Sequence, residues 1–484
     1  MFLGIDLGTS GVKAVALDEH GAIAAQSSAS LTVATPQPSW SEQDPADWWH
    51  ACDAAVCALP PEIRRTVSAI GLSGQMHGAV LVGASRAVLR PAILWNDGRS
   101  HAQCVELEER VPHSRTITGN IAMAGFTAPK LLWVAENEPE IFARIDKVVL
   151  PKDYLRLMMT GDIASDLSDS AGTLWLDVGA RDWSDEMLAA TGLARRHMPR
   201  LHEGTEATGR LMPDIAARWG MDQVIVAAGA GDNAAGATGM GIIAEGNAML
   251  SLGTSGVIFV ATDSFRPNPQ GAVHAFCHCL PGMWHQMAVH LSAASCLPWA
   301  ATQLGLQGPE QLIALASMPE ARSGDEVFLP FLNGERTPHN DPSLRAAWLF
   351  CDSATSPARL AAAVLEGVAF AHADGLAALR AAGSQVERLV VVGGGARSTL
   401  WGTIIASALN VELAYLDGAE VGPALGAARL ARIALTGESP TTVCTAPRVH
   451  SIVTPDEALR DRLGPQLARY RMACQAILTA KDQH

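Results

Sequence analysis

The sequence predicts an α/β protein built as two duplicated halves that face each other across a cleft. Three observations carry that expectation. Residues 7–12 read LGTSGV, and residues 252–257 read LGTSGV again, an offset of 245 in a chain of 484. Both copies run on into β-rich residues that end on an acid, KAVALD at 13–18 and IFVATD at 258–263. Near the C-terminus an apolar run at 389–392 is followed by GGGARS and then by the helical pattern LWGTIIASALN. A strand, a glycine turn and a helix in that order form a nucleotide-binding arrangement in α/β proteins. Length alone suggests about three domains at about 150 residues each. The repeat revises this to two, 1–245 and 246–484.

The composition excludes several classes. Hydrophobic residues make up 48% and charged residues 17%, enough for packed cores and unlike a disordered, collagen-like or coiled-coil chain. With 35 Lys and Arg against 49 Asp and Glu the formal charge is −14, which argues against a nucleic-acid partner but leaves room for a local phosphate site. Nine cysteines without regular spacing, and no basic segment ahead of an apolar one, point to a cytoplasmic protein rather than a disulfide-stapled secreted one. The weakly charged stretch 224–252 is interrupted by Asp232, Asn233, Glu245 and Asn247, so no membrane span is expected.

In the first copy, 2–7 and 12–17 read as strands around Gly-Thr-Ser-Gly, a hairpin. Glycine lets such a turn adopt positive φ, so that successive N–H groups and the Thr and Ser hydroxyls face one point and form an anion nest. Two nests, one from each half, would grip a polyphosphate. The copies differ at one decisive place: Asp6 is matched by Ser251, and Lys13 by Ile258. One nest therefore carries an acid suited to hydrated Mg²⁺ and the other only neutral donors, as one metal–nucleotide site requires. The GGGARS turn is compatible with a dinucleotide fingerprint, although Ser398 stands where a third glycine belongs; it equally suits an adenine and its ribose. The small-residue helix GPALGAARLA at 422–431 is expected to pack behind it.

Asp232 lies in AAGAGDNAAGA, after a strand at 224–228. It reads either as the N-cap of a helix beginning near Asn233 or as a carboxylate placed to accept a hydroxyl proton, and the two are compatible. SGQMHGA at 73–79 and WNDGR at 95–99 each follow an apolar run, at strand ends where α/β sheets place ligands. Trp95 offers an apolar plate for the C–H face of a sugar; His77, Asn96, Asp97 and Arg99 offer hydrogen bonds to hydroxyls. His274, Cys277, His278 and Cys279 superficially suggest metal ligands, but AVHAFCHCL alternates like a half-buried strand and has no C-x-x-C pair.

These motifs together resemble the FGGY carbohydrate kinases over essentially the full length. GFTAPKLLWVAEN at 125–137 is similar to the first family signature and VVGGGARSTLWGTIIASALN at 391–410 to the second; IDLGTSGVK, GQMHG, LWNDGR, LPKDYLRL, GDNAAGA, SLGTSG and GERTPHN follow in family order. QMHG and ERTPHN are most similar to the members that phosphorylate the ketose D-xylulose. The resemblance implies two actin-like (ribonuclease H-like) ATPase domains with ATP in the cleft, and transfer of the γ-phosphoryl group to the sugar's 5-hydroxyl. It places the catalytic base at Asp232, the ketose-binding pair at Met76 and His77, and the acid near Mg²⁺ at Asp6. Thr9, Gly253 and Thr254 match phosphate-nest positions, and Gly394 and Gly395 the adenosine side. Trp95, Asp97 and Asn233 join the sugar site on the reading of the residues. The expected partners are a small ketose and ATP, with no nucleic acid and no membrane; a homodimer is an assembly the sequence allows. A sister kinase for ribulose, gluconate or another polyol, and an actin-like nucleotide switch, are the alternatives.

Overall fold

The structure, a computed structural model, describes residues 1–322, 324–417 and 422–481, with backbone alone at 396–397 and 481. Two seven-stranded sheets organise it. The first contains β1 (Phe2–Leu7), β2 (Gly11–Leu17), β3 (Ile23–Ser30), β4 (Ala69–Gly74), β5 (Ala207–Arg210), β6 (Ile225–Ala227) and β7 (Ala230–Gly231). The second contains β8 (Ala248–Leu252), β9 (Gly256–Thr262), β10 (His274–Cys277), β11 (Trp284–His290), β12 (Arg388–Val392), β13 (Glu412–Leu416) and β14 (Val449–Val453). The helices that shape the cleft are α1 (Thr127–Asn137), α2 (Pro151–Thr160), α3 (Asp232–Gly239), α4 (Cys296–Gln303), α5 (Pro309–Ala316), α6 (Pro357–Ala381), α7 (Thr399–Leu409) and α8 (Gly422–Thr436).

Each sheet begins with antiparallel strands and continues with parallel ones. The first runs β5-β6-β4-β1-β2-β3, with β7 on β4; the second runs β10-β11-β9-β8-β12-β13-β14. In both, a leading hairpin (β1–β2, β8–β9) is flanked on one side by a third antiparallel strand and on the other by a parallel neighbour, β4 or β12. The duplication is therefore structural as well as sequential. FLGIDL reads as a nearly continuous apolar run because β1 is covered on both faces. Leu3, Ile5 and Leu7 enter a core with Trp48 and Trp219, and Phe2 and Val15 enter one with Ala424 and Ala428.

The two LGTSGV copies do not fold identically. Leu7 pairs with Val12 in the first hairpin, whereas Leu252 pairs with Gly256 in the second, a register one residue tighter. Gly8 N–H accordingly donates to Gly11 O at 2.9 Å, but Gly253 N–H donates to Ser255 O at 3.1 Å. The second turn is held from outside: Ala293 N–H donates to Thr254 O and Ala294 N–H to Gly253 O, each at 2.9 Å.

Four local expectations are corrected. Asp232 is the first residue of α3 rather than its N-cap, a position taken by Gly231. WNDGR does not follow a strand of a main sheet; Ala92–Ile93 pairs with Glu42–Gln43, and Ile93 bridges to Ala79. All four residues of β10 are buried, because both faces of this strand are covered, so it is not half-buried. The small-residue helix α8 does not pack behind the GGGARS turn. It crosses the first sheet at β1 and β4 and lies against α3, since its small residues meet the strand glycines Gly4 and Gly71 there. Of the described helices, α6 alone is long and apolar enough to cross a bilayer, and it is a buried core helix.

At the α3–α8 crossing a Cβ on Gly426 would stand 1.8 Å from Ala235 O. In an isolated helix Gly→Ala gains about 1 kcal/mol. Here overpacking, typically about 1–3 kcal/mol, has the opposite sign and acts against backbone. Gly426→Ala is therefore expected to lower the urea midpoint of unfolding, and an unchanged or raised midpoint would refute the close crossing.

Candidate active site

Asp6 lies near the end of β1, paired in register with Lys13 of β2 and Ser73 of β4. Burial pushes its carboxyl up to about 6, against the opposing pull of the Ser73 hydroxyl and the Lys13 ammonium, and its Oδ1 is buried without a hydrogen-bond partner. Asp232 stands close enough to feel it. Burial, and then the Asp6 charge, push Asp232 up to about 7, although Asn233 donates to Asp232 Oδ1 from its backbone N–H (2.7 Å) and from Nδ2 (2.9 Å). A carboxylate close to a second one in a desolvated site holds its proton more tightly than it would alone, as Asp232 does near Asp6.

The turn ahead of Asp232 rests on buried charge. Gly231 N–H donates to Ser168 Oγ (3.1 Å), and Ser168 donates to Asp166 Oδ2 (2.5 Å). Lys152 Nζ meets Asp166 at 2.8 Å, Asp153 at 2.6 Å and Asp169 at 3.1 Å. Arg156 donates to Ala227 O and Ala228 O, the strand leading into the turn. Two cations thus face three carboxylates, all buried, and burial raises Asp169 well above its ordinary value against the pull of Lys152. The motif LPKDYLRL supplies the cations of this hub; its role is not evident in sequence because Asp166 and Asp169 lie outside the motif, further along the chain.

The Met76–His77 pair extends the site from Asp232. A Cβ on Gly231 would meet Met76 Sδ at 2.9 Å, so Met76 packs directly on the turn that carries the acid. His77 is held at a φ of 70°, with its carbonyl accepting from Thr127 Oγ1 (3.1 Å) and Lys130 Nζ (2.8 Å). Burial lowers the Lys130 ammonium to about 7. His77 Nδ1 lies 2.6 Å from Gly172 O, and a carbonyl can only accept, so the ring proton sits on Nδ1. Burial lowers His77 to about 3, leaving a neutral ring whose Nε2 presents a lone pair.

Trp95 is 46% exposed and donates from Nε1 to Thr9 Oγ1 (3.0 Å); Thr9 in turn donates to Gln75 Oε1 (3.1 Å). The Thr9 hydroxyl is therefore spent on holding the first turn against the Trp95 loop, which leaves its backbone for an anion. Asp97 is buried: it accepts from Ser41 N–H and from Arg99, whose guanidinium stacks 3.6 Å over Trp40. Its carboxylate anchors the loop beneath Trp95.

On the other side, Gly394 and Gly395 line a cavity of about 490 Å³ with Ser398 and Trp401 and with Ala294, Leu297, Pro309, Glu310 and Ile313. Nothing lies within 4 Å of a Cβ position on Gly394, so its face is open. The apolar wall from α4 and α5 has no signal in the sequence, as these helices carry no motif and are far from GGGARS in the chain.

Residues 1–239 match the N-terminal domain, and residues 248–435 the C-terminal domain, of the FGGY family of carbohydrate kinases. The chain belongs to this family. The kinase is 55% identical to the xylulose kinase of Escherichia coli (strain K12) over 90% of its own length and 91% of that protein. It superposes on the crystal structure of a xylulose kinase from Brucella ovis with a TM-score of 0.96 at 51% identity, covering 99% of each chain. A xylulose kinase from Rhodospirillum rubrum superposes with a TM-score of 0.92 at 27% identity over the full length of both. The two sheets are those of the actin-like ATPase fold.

Lys152→Met in this kinase would leave Asp153 and Asp166 buried beside an apolar side chain. Breaking a buried pair from one side costs about 3–5 kcal/mol. A loss of that size in denaturant unfolding is expected; a loss near that of an exposed pair, below about 1 kcal/mol, would contradict the hub.

Proposed function

We propose that this kinase transfers the γ-phosphoryl group of ATP to the 5-hydroxyl of D-xylulose, giving D-xylulose 5-phosphate and ADP in xylose catabolism. The observation that carries the reading is Asp232: a carboxylate brought to about 7 beside the Met76–His77 pair, in a chain 55% identical to a xylulose kinase. A general base works best with a pKa near the working pH, where it is ionised yet still basic enough to take a proton.

In the proposed step the 5-oxygen attacks the γ-phosphorus in line. The new O–P bond forms as the bond to the ADP oxygen breaks, and the hydroxyl proton passes to Asp232. The protein's task in such a transfer is positioning and charge stabilisation. His77 Nε2, a fixed acceptor, would orient a sugar hydroxyl, and Asn233 holds Asp232 while presenting its own amide. Backbone N–H groups at Thr9, Gly253 and Thr254 would receive the phosphates, and the cavity at Gly394 and Gly395 the adenosine.

The residues also fit Mg²⁺, which is commonly held by one or two carboxylates together with substrate phosphates. Asp6, with its buried and unpartnered Oδ1, would hold it. When bound, the ion supplies neutralisation of phosphate charge. The halves 1–245 and 246–484 would close over both substrates and exclude water, limiting futile ATP hydrolysis.

Asp232→Asn is nearly isosteric and cannot accept the proton. Turnover of D-xylulose is expected to fall by about 10²–10⁴-fold, with MgATP affinity by equilibrium titration little changed. Near-normal turnover in this variant would reject Asp232 as the base.

A further inference from the structure

We propose that Arg336, carried by the second half, completes the sugar site by binding the ketone end of the acceptor, away from the transferred phosphoryl group. This rests on the function proposed above. The geometry starts at the acid and runs outward through a chain of packed side chains. Met76 packs on Gly231, next to Asp232. His77 meets Phe126 edge to face with ring centroids 4.8 Å apart, and Phe126 meets His274 at 5.5 Å. His274 stacks on Phe276 at 5.6 Å, and Arg336 Nη1 lies 3.5 Å from His274 Nε2. Met76, His77 and Phe126 come from the first half; His274, Phe276 and Arg336 come from the second.

The orientation of His274 is determined by its partners. Its Nδ1 lies 3.1 Å from Asn120 Oδ1, which also accepts from Ala275 N–H, while Asn120 Nδ2 donates to Thr118 O and Ala275 O. The Asn120 oxygen therefore accepts and His274 Nδ1 donates. Burial keeps the ring neutral, so its Nε2 lone pair points at Arg336.

Arg336 is a half-buried cation with little to hold. Glu335, the adjacent acid, is already committed: its Oε1 accepts from Leu291 N–H (2.9 Å) and Arg336 N–H (2.7 Å), and its Oε2 faces His290 Nδ1 at 3.3 Å. Among the described residues the guanidinium forms no ion pair, and its long contact with His274 leaves most of its five N–H donors unspent. A guanidinium partly withdrawn from water favours acceptors that meet it. A carbonyl oxygen and the neighbouring hydroxyl of an open-chain ketose are such acceptors. With the 5-hydroxyl at Asp232, carbons 1 and 2 are the part of the sugar left for Arg336.

The test compares Arg336→Ala with the unsubstituted kinase on two acceptors, D-xylulose and glycerol. Glycerol reproduces carbons 3–5 and lacks the end assigned to Arg336. Losing a hydrogen bond to a charged group is expected to lower kcat/KM for D-xylulose by about tenfold or more, chiefly through KM. Glycerol phosphorylation and the KM for ATP should stay within about twofold, because neither engages the residue. A parallel fall for both acceptors, or no fall for D-xylulose, would overturn the assignment and mark Arg336 as structural or idle. If Arg336→Ala does not give folded protein by circular dichroism, Arg336→Gln carries the same comparison, and the same outcomes support or overturn the assignment. An unsubstituted kinase that does not phosphorylate D-xylulose would instead overturn the underlying function.

Discussion

The two halves share one cleft because α3 and α8 touch backbone to backbone. Gly426 faces Ala235 and Gly239 faces Gly422, with no room for a side chain at Gly426 or Gly239. Arg429 of α8 then donates to the last carbonyls of α3, Thr238 O and Gly239 O, each at 2.9 Å. Helix α8 comes from the second half, yet it lies on the first sheet, where β1 and β4 present Gly4 and Gly71 to it. Asp232 opens α3, so the residue assigned to proton transfer sits on the joint between the halves.

Around that joint the chemistry is set by desolvation. Water would hold Asp6 and Asp232 as ordinary carboxylates; burial, joined at Asp232 by repulsion from Asp6, brings them to about 6 and about 7. The same burial lowers His77 to about 3, while Gly172 fixes its tautomer. Beneath the turn, Lys152 and Arg156 offset three buried carboxylates, which gives Asp232 a rigid platform at a position where glycine alone would leave it loose. Each element of the site is thus a charge or dipole placed in advance, the feature on which phosphoryl transfer depends.

Much of this is legible in the sequence. The duplicated LGTSGV identifies the two hairpins, and the glycine-flanked Asp232 identifies the acid, because local motifs encode local turns. What is not legible depends on long-range packing. Two identical hexapeptides fold in different registers, and only the second is pinned by Ala293 and Ala294. GPALGAARLA is recognisable as a close-packing helix, but which surface it packs on is decided by Gly4 and Gly71, more than 350 residues earlier in the chain. Asp97 and the Thr9 hydroxyl look ligand-facing from their types; Arg99, Ser41, Trp95 and Gln75 consume them in the folded state. Arg336 is visible in sequence only as a letter in a motif, and its place beside His274 appears once the chain is folded.

The pH dependence of kcat/KM for D-xylulose at saturating MgATP, measured side by side with Asn233→Ala, bears most directly on Asp232 as the base. A base must be ionised to act, so the rate should fall on the acid side through a limb that lies above the ordinary carboxylate range. Removing the Asn233 amide takes away a hydrogen bond that favours the charged carboxylate, so that limb should move to higher pH. A profile that stays flat down to the ordinary carboxylate range, or a limb unmoved in Asn233→Ala, would contradict the assignment.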